Sequence, residues 1–434
     1  MAWPAIIESF FVSFAGLVDS LMVSSLGSNA VAAVGLTTQP KFVGLALFIA
    51  TGVSVSAIVA RRRGEKDRRS ANATLITTLL FVMIAALAFS AAFVFFADDI
   101  IRWCGSSANT HDYAVTYFKI IMGGMIFNCL QIAINSAQRG AGNTRITMIT
   151  NVTSNAINMI LNYLLIGGNF GFPALGIAGA AIATVLGTVV SCVLSIISLT
   201  GYNGFLSIPY LIKEKIRPAF DAFKKLLRFG YSVFLEQILL RIGFTATAIM
   251  AAKMGDNSMA AHQVCMNILS LSFAFGDGLQ SAAVALIGRS LGEKDVPKAK
   301  KYGRICQTIG SCISVVLAIV FLLASEWCMT LFFKEQEIVD IGVRLSWVMM
   351  AIVIFQIPQV IYFGCLRGAG DTLYTAIATT LSVSILRTAV SWFCAFILNW
   401  GIVGVWMGIL ADQICRLTLT FTRFRSGKWS KIKI

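Results

Sequence analysis

The sequence predicts an all-α polytopic membrane protein, with twelve transmembrane helices in two pseudo-symmetric six-helix lobes. Three observations lead there. The 434 residues are 57% hydrophobic and 13% charged, with a mean hydropathy of +0.79. A soluble chain carries about 25% charged residues. Apolar runs recur along the whole length, each about the 20 residues that a helix needs to cross a bilayer. The chain also repeats itself at one offset. GSNAVAA (Gly27 to Ala33) returns as GDNSMAA (Gly255 to Ala261), and RRRGEKD (Arg61 to Asp67) as RSLGEKD (Arg289 to Asp295). QRGAGNT (Gln138 to Thr144) returns as LRGAGDT (Leu366 to Thr372). All three pairs lie 228 residues apart, and Glu8 and Glu236 keep the same offset. Two copies of one unit account for this order.

The spans follow in sequence. The first lobe, 1–199, holds runs at 2–24, 31–59, 71–97, 113–137, 147–167 and 174–199. The second, 229–421, holds runs at 229–254, 258–287, 304–324, 341–366, 373–398 and 401–421. An even number of spans per copy gives both lobes the same orientation, so their pseudo-twofold axis is expected along the membrane normal. The offset is expected to fall to about 225 past Pro173, where Gly176 and Gly179 match Gly401 and Gly404. Residues 200–228 read as an inter-lobe linker, with Pro209, Pro218 and six basic residues. Its end, Phe220–Phe229, is amphipathic and basic and suits a membrane interface as well as an ordinary linker. Residues 422–434 form a basic tail.

Charge sets the orientation. The net charge of +15 comes from 35 Lys and Arg against 20 Asp and Glu. Of these bases 27 gather at 61–69, 139–145, 213–228, 289–304, Arg367 and 416–433, all on alternate loops. The opposite loops carry Arg102, Lys253, Lys334 and Arg344. This is the positive-inside pattern, and it predicts that both termini are cytoplasmic. The basic balance is a topology signal with anionic headgroups as counter-charge, not a nucleic-acid surface. The first 24 residues lack a basic n-region, and Glu8 and Asp19 interrupt them, so they are not read as a cleaved signal. The ten cysteines are scattered without a CxxC pair and read as small buried hydrophobes.

No HExxH, Walker, Rossmann or paired-carboxylate pattern is present, which argues against a metalloenzyme and an ATP-driven pump. No catalytic residue, metal site or cofactor is expected. The repeated loops read as turns. The glycines of RGAG permit positive φ, and the following Asn or Asp with Thr can cap the next helix. GEKD reads as a second turn with local charge pairs.

Ionisable residues inside spans are costly and often functional. They are Glu8, Asp19, Lys41, Lys119, Glu236, Arg241, Asp277, Arg387 and Asp412. Asp19 is the leading candidate, because the second copy has Thr247 in its place and shared architecture does not explain the difference. A carboxylate in low dielectric is able to load and release a proton near neutrality. Glu236 is weighed between a coupling or substrate role and symmetric scaffolding with Glu8, for example by pairing with Arg241. Glu8 and Asp19 stand eleven residues apart, about 16 Å along nearly one helix face. Asn135, Asn158, Asn162 and Gln131 add amides to the fourth and fifth spans. Gln39, Gln263, Asn267, Gln356 and Gln359 suggest a wet cavity between the lobes, with Lys41 and Asp277 as further lining.

At these residues the chain resembles the multidrug and toxic compound extrusion (MATE) family over essentially its whole length. The resemblance rests on Pro4 fifteen residues before Asp19 in PAIIESFF…GLVDSLMVSSLG, on NAVAAVGL and QRGAGNTR, and on NAINMILNYLLIGGNFGFPALGIAGAAIAT. AAHQVCMNI and LRGAGDT are the second-half counterparts. It implies two lobes forming a V, and export of organic, often cationic compounds against inward H⁺ or Na⁺. It also implies a coupling role for Asp19 with Asn135 and Asn158. Two departures bear on the ion. Asn162 stands where many members have Asp, which removes a carboxylate that a hard cation prefers. Glu236 matches the helix-seven Glu of another subgroup, but its helix-ten Asp is Gln356 here. Proton coupling is therefore favoured over Na⁺, closest to the bacterial DNA-damage-inducible subgroup, with a monomer as the working unit.

Other readings stay open at this point. A lipid-linked oligosaccharide flippase of the same superfamily would share the lobes, but such proteins often carry extra spans and a strongly cationic cavity. A major-facilitator carrier lacks RGAG loops and a helix-one Asp. A non-transporting scaffold leaves Asp19 and the amides unexplained.

Overall fold

The architecture comes from a computed structural model that describes residues 2–202, 204–332 and 335–432. Lys334 and the end of the basic tail lie outside the described residues. Among the described residues, twelve long helical segments stand where the twelve apolar runs were expected. They are α1 (Ala2–Ser24), α2 (Ser28–Gly64), α3 (Arg68–Phe95), α4 (His111–Gly123 and Met125–Gly140), α5 (Thr144–Gly167) and α6 (Gly176–Ile197). Then follow α7 (Phe220–Ala252), α8 (Asp256–Gly292), α9 (Val296–Leu323), α10 (Gln336–Gly368), α11 (Thr372–Ile397) and α12 (Gly401–Ser426). Ten are long and apolar enough to cross a membrane on their own, and α4 adds an eleventh as a pair of helices bent by 48°. The twelfth, α5, is helical over 24 residues but rich in Asn and Thr. Its polarity, which the site below uses, keeps it out of a purely apolar count.

The boundaries have local causes, and both copies share them. Gly27 and Gly255 precede α2 and α8 with φ of 98° and 100°, a conformation that glycine takes without strain. Both helices then run 37 residues, about 55 Å, beyond the 30 Å of a hydrocarbon core. The GEKD turns are built on lysine rather than glycine, since Lys66 and Lys294 both have φ of 59°. Asp67 and Asp295 cap α3 and α9 by accepting from the amides of Ser70 and Lys298. Glu65 and Glu293 supply the expected local ion pairs, to Arg62 and to Arg289 and Lys298. In the RGAG loops Gly142 and Gly370 take positive φ. Asn143 and Asp371 occupy the N-cap positions of α5 and α11 but make no side-chain cap bond. The first glycine serves packing. A Cβ on Gly368 would meet the carbonyl oxygen of Val284 at 2.6 Å, and Gly140 faces the Ser56 carbonyl in the same way.

The chain divides into two compact units, Trp3–Phe234 and Leu235 onward, with the dividing line inside α7. The amphipathic stretch 220–229 is not a separate element. It forms the first turns of α7, which starts two residues after Pro218 and meets no breaker before Ala252. The first unit packs α2 against α4 and α3, and α6 against α5 and α4. Its apolar core includes Phe48, Val82, Phe118, Met122, Met125 and Ala181. In the second unit α10 is central and packs on α8, α9 and α12. α11 departs from α5 in having π-helical segments at Thr380–Arg387 and Phe393–Ile397.

Candidate cation-coupling site

The site in the first unit comes from two matched helix faces. On α5, Asn151, Asn155, Asn158 and Asn162 follow a 4-3-4 spacing, which places all four amides on one stripe. On α1, Glu8 and Asp19 share a face eleven residues apart. Asn162, fully buried, donates its amide hydrogen to Asp19 Oδ1. The same Nδ2 lies 3.3 Å from Asn158 Oδ1, and Asn158 donates in turn to Thr184 Oγ1 on α6 at 3.3 Å. Asp19 is half-buried. Lys41 on α2 acts on it electrostatically, a neighbouring charge that sequence reasoning placed only in a cavity wall. Asn162 Oδ1 is buried without a hydrogen-bond partner, so one acceptor beside Asp19 is unused.

Asn135 belongs to a different group. It donates to Thr150 Oγ1 at 3.1 Å and accepts from Ser195 at 2.9 Å, which knits α4, α5 and α6 together. The structure thus joins Asp19, Asn162 and Asn158 in one chain and sets Asn135 in another. Gln131 donates to Asn151.

Glu8 is buried at the other end of the stripe. It accepts from Arg139 at 3.0 Å, Thr147 at 2.8 Å and Asn151 at 2.6 Å. Glu236 has the equivalent place in the second copy. It accepts from Arg367 at 2.7 Å and Thr379 at 2.9 Å, and is 1% exposed. The expected pairing of Glu236 with Arg241 gives way to this one. Five residues turn the helix by about 500°, which leaves position 241 about 140° away from Glu236 around α7. Arg139 and Arg367 are the arginines of the two RGAG motifs, and sequence reasoning missed them as partners. The signal was available, because Glu8, Glu236, Arg139 and Arg367 all keep the 228-residue offset.

Gln356 is fully buried in α10 and accepts from Ser272 at 3.1 Å, while its Nε2 has no partner. Gln39, Gln263, Asn267 and Asp277 are exposed on their helices, and Lys41 is half-buried. A further charged group was not anticipated as a unit. Asp412 on α12 is buried between Arg387, at 2.5 Å, and Arg416, at 2.8 Å. Arg387 also lies 4.8 Å from the ring centre of Phe244. Among the described residues no group of three His, Cys, Asp or Glu is arranged to hold a metal ion.

A duplicated helical membrane bundle with a carboxylate held on polar helix faces has the build of a secondary transporter. The MatE profile matches this chain twice, over residues 4–164 and 233–393, once in each copy. The chain belongs to the MatE family, and is a transporter rather than an enzyme. The probable multidrug resistance protein NorM of Thermotoga maritima is 27% identical over 99% of this chain and 92% of its own length. The uncharacterized transporter YisQ of Bacillus subtilis is 25% identical, with 99% and 94% covered. Among solved structures, the outward-facing conformation of a multidrug resistance MATE family transporter superposes with a TM-score of 0.93. It is 21% identical, with 100% and 96% of the two chains covered. A MATE crystallised in complex with MaD3S gives 0.91 at the same identity and coverage. The all-helical polytopic fold is the one expected from the sequence.

Proposed function

We propose that this protein exports organic, often cationic, drug-like compounds across a bacterial cytoplasmic membrane by alternating access, in exchange for protons carried on Asp19. The observation that carries the reading is the Asp19–Asn162–Asn158 chain on α1 and α5, with Thr247 in place of Asp19 in the second copy. The hydrogen-bond partner of this carboxylate is a neutral amide, which suits a proton, since amides hydrogen-bond both the charged and the neutral form. Na⁺ is less well served, because Asn162 supplies no second carboxylate. Glu236 is engaged by Arg367, and Gln356 is neutral, which supports the first copy over the second as the ion site. The pattern is nearest the DNA-damage-inducible subgroup. In this reading residues 1–199 and 229–421 are the two lobes, 200–228 links them, both termini are cytoplasmic, and a monomer suffices. Gln39, Lys41, Gln263, Asn267 and Asp277 line the substrate path, and Asn135 supports the coupling helices. The NorM relatives, named as probable multidrug resistance proteins, agree with the substrate class. Efflux of a fluorescent organic cation from proteoliposomes, under an imposed ΔpH and then under an imposed Na⁺ gradient, tests it. Efflux driven by Na⁺ alone would overturn the proton assignment.

A further inference from the structure

In the first unit the start of α7 is docked on α3 by a single joint. Pro218 has no N–H, and the next amide, on Ala219, donates to Thr77 Oγ1 at 3.0 Å. Thr77 gives its own hydroxyl proton to the Ala73 carbonyl at 2.7 Å. Beside this joint lies a cavity of about 360 Å³, walled by Leu80, Phe81 and Ile84 of α3 and by Pro218, Phe220 and Phe223. Phe81 and Phe223 meet edge to face, with ring centres 5.5 Å apart, and join the two walls. Among the described residues Thr77 is the one polar side chain of the wall. Its hydroxyl already donates and accepts, so the wall offers no free side-chain donor.

Both walls run on into exposed apolar stripes. Leu80, Ile84 and Leu87 follow a 4-3 spacing along α3 and are all exposed. On α7, Phe220, Phe223, Leu227 and Tyr231 share a face, and Phe220 is 77% exposed. Bases border that face along one edge. Lys224 and Arg228 stand about 40° and 80° around the helix from Phe220. Both are exposed, as is Arg217 just before Pro218. Among the described residues none of the three has a carboxylate partner. The acids of the stretch, Glu214 and Asp221, pair with none of them, and Asp221 sits in the first turn of α7, where the helix end favours negative charge. The level is that of a membrane boundary. α3 has 28 residues, about 42 Å, which exceeds a hydrocarbon core by about 12 Å. Thr77 lies nine residues from Arg68, about 14 Å, so with the excess at its basic end the cavity opens where α3 passes from headgroups into hydrocarbon.

We propose that this groove holds one acyl chain of an anionic phospholipid from the leaflet on the basic side, with the lipid phosphate against Lys224 and Arg228. An acyl chain suits a wall without a free donor, and the Leu80–Ile84–Leu87 stripe carries it on into the bilayer. The phosphate supplies the negative charge that these bases lack, as anionic headgroups do for basic segments at a membrane surface. The bound lipid shields the Thr77–Ala219 joint from water and holds the start of α7 on α3.

The full chain, delipidated in detergent, is titrated with dioleoyl phosphatidylglycerol and separately with dioleoyl phosphatidylcholine, and bound lipid is counted by native mass spectrometry. The first phosphatidylglycerol is expected to bind at least tenfold more tightly than phosphatidylcholine. Lys224→Glu with Arg228→Glu is expected to abolish that preference. Lys301→Glu with Arg304→Glu makes the same change of charge at exposed positions of α9 and is expected to leave it intact. Ile84→Trp fills the groove from α3 without touching a charge, and is expected to weaken the first binding event at least tenfold. It also decides the matter should the charge-reversed pair fail to fold. Equal binding of the two lipids overturns the proposal. An equal loss in both charge-reversed pairs does so too, since it reports bulk charge, and so does undiminished binding in Ile84→Trp.

Discussion

Asn162 binds Asp19 from 143 residues further along the chain, and Asn151 binds Glu8 across the same interval. The two donors are eleven residues apart on α5, as the two carboxylates are on α1. Two parallel helices are thereby held in one register at two points, about 16 Å apart. In the second copy Glu236 and Thr379 repeat the Glu8–Asn151 point at the same interval. The point at Asp19 has no counterpart among the described residues, where Thr247 bonds its own helix at Gly243. Register is thus common to both copies, and the Asp19 carboxylate is an addition to the first.

Asp19→Asn separates that addition from the architecture. The amide keeps the shape of the protonated carboxyl and a hydrogen-bonding partner for Asn162, but has no proton to release. Under an imposed ΔpH, export in proteoliposomes is expected to fall to the level of protein-free vesicles. The unfolding midpoint is expected to stay near that of the wild type. Export at the wild-type rate would move the ion pathway away from α1.

Glu236→Gln tests the point shared by both copies. Removing one partner of a buried ion pair leaves an uncompensated charge, here Arg367, and costs about 3–5 kcal/mol. A clear drop in the unfolding midpoint is expected, while the surviving folded protein still responds to ΔpH. Glu8→Gln is expected to lose less, since Arg139 is more exposed than Arg367 and also bonds Ser136. A Glu236→Gln protein of normal stability and no proton response would instead make Glu236 the carrier.

The spans, the duplication and the family were legible because they rest on long apolar runs and on words repeated at one offset. Asp19 and its amides were legible as polar residues in apolar helices. Their grouping was not, because Asn135 and Asn162 look alike in sequence. Only packing shows that Thr150 and Ser195 take up the one while Asp19 receives the other. The buried ion pairs between helices were not legible, for a similar reason. Arg139 and Arg367 were read as loop residues, while Arg241 was nearer in sequence to Glu236 and on the wrong side of the helix. Arg387 and Asp412 were both noted as costly charges, but nothing in a 25-residue separation announces that two helices bring them together.

Acid stability has a contribution outside the membrane. Lys298 and Arg289 donate to Glu293 at 2.6 and 3.0 Å and hold its carboxyl below the usual glutamate range. A depressed folded-state pKa contributes stability that is present above the unfolded value of about 4.3 and is lost as pH falls through the folded one. Glu293→Gln is therefore expected to lower the unfolding midpoint slightly at neutral pH, with the two proteins converging below about pH 4. Parallel curves across the whole range would show that the bonds to Glu293 add no linked stability.

The Arg387–Asp412–Arg416 group makes the sharpest prediction about buried charge. All three side chains are at most 6% exposed, and one carboxylate answers two guanidiniums. Asp412→Asn keeps the shape and removes the only negative charge of the three, leaving both arginines uncompensated. A loss at or above the roughly 3–5 kcal/mol of a single broken buried pair is expected, read as the largest fall in unfolding midpoint among these variants. Replacing all three by apolar residues of similar size removes the desolvation cost together with the attraction, and is expected to recover much of that loss. If Asp412→Asn is as stable as the wild type, the charges are solvated and the group is not the closed ion cluster that its geometry describes.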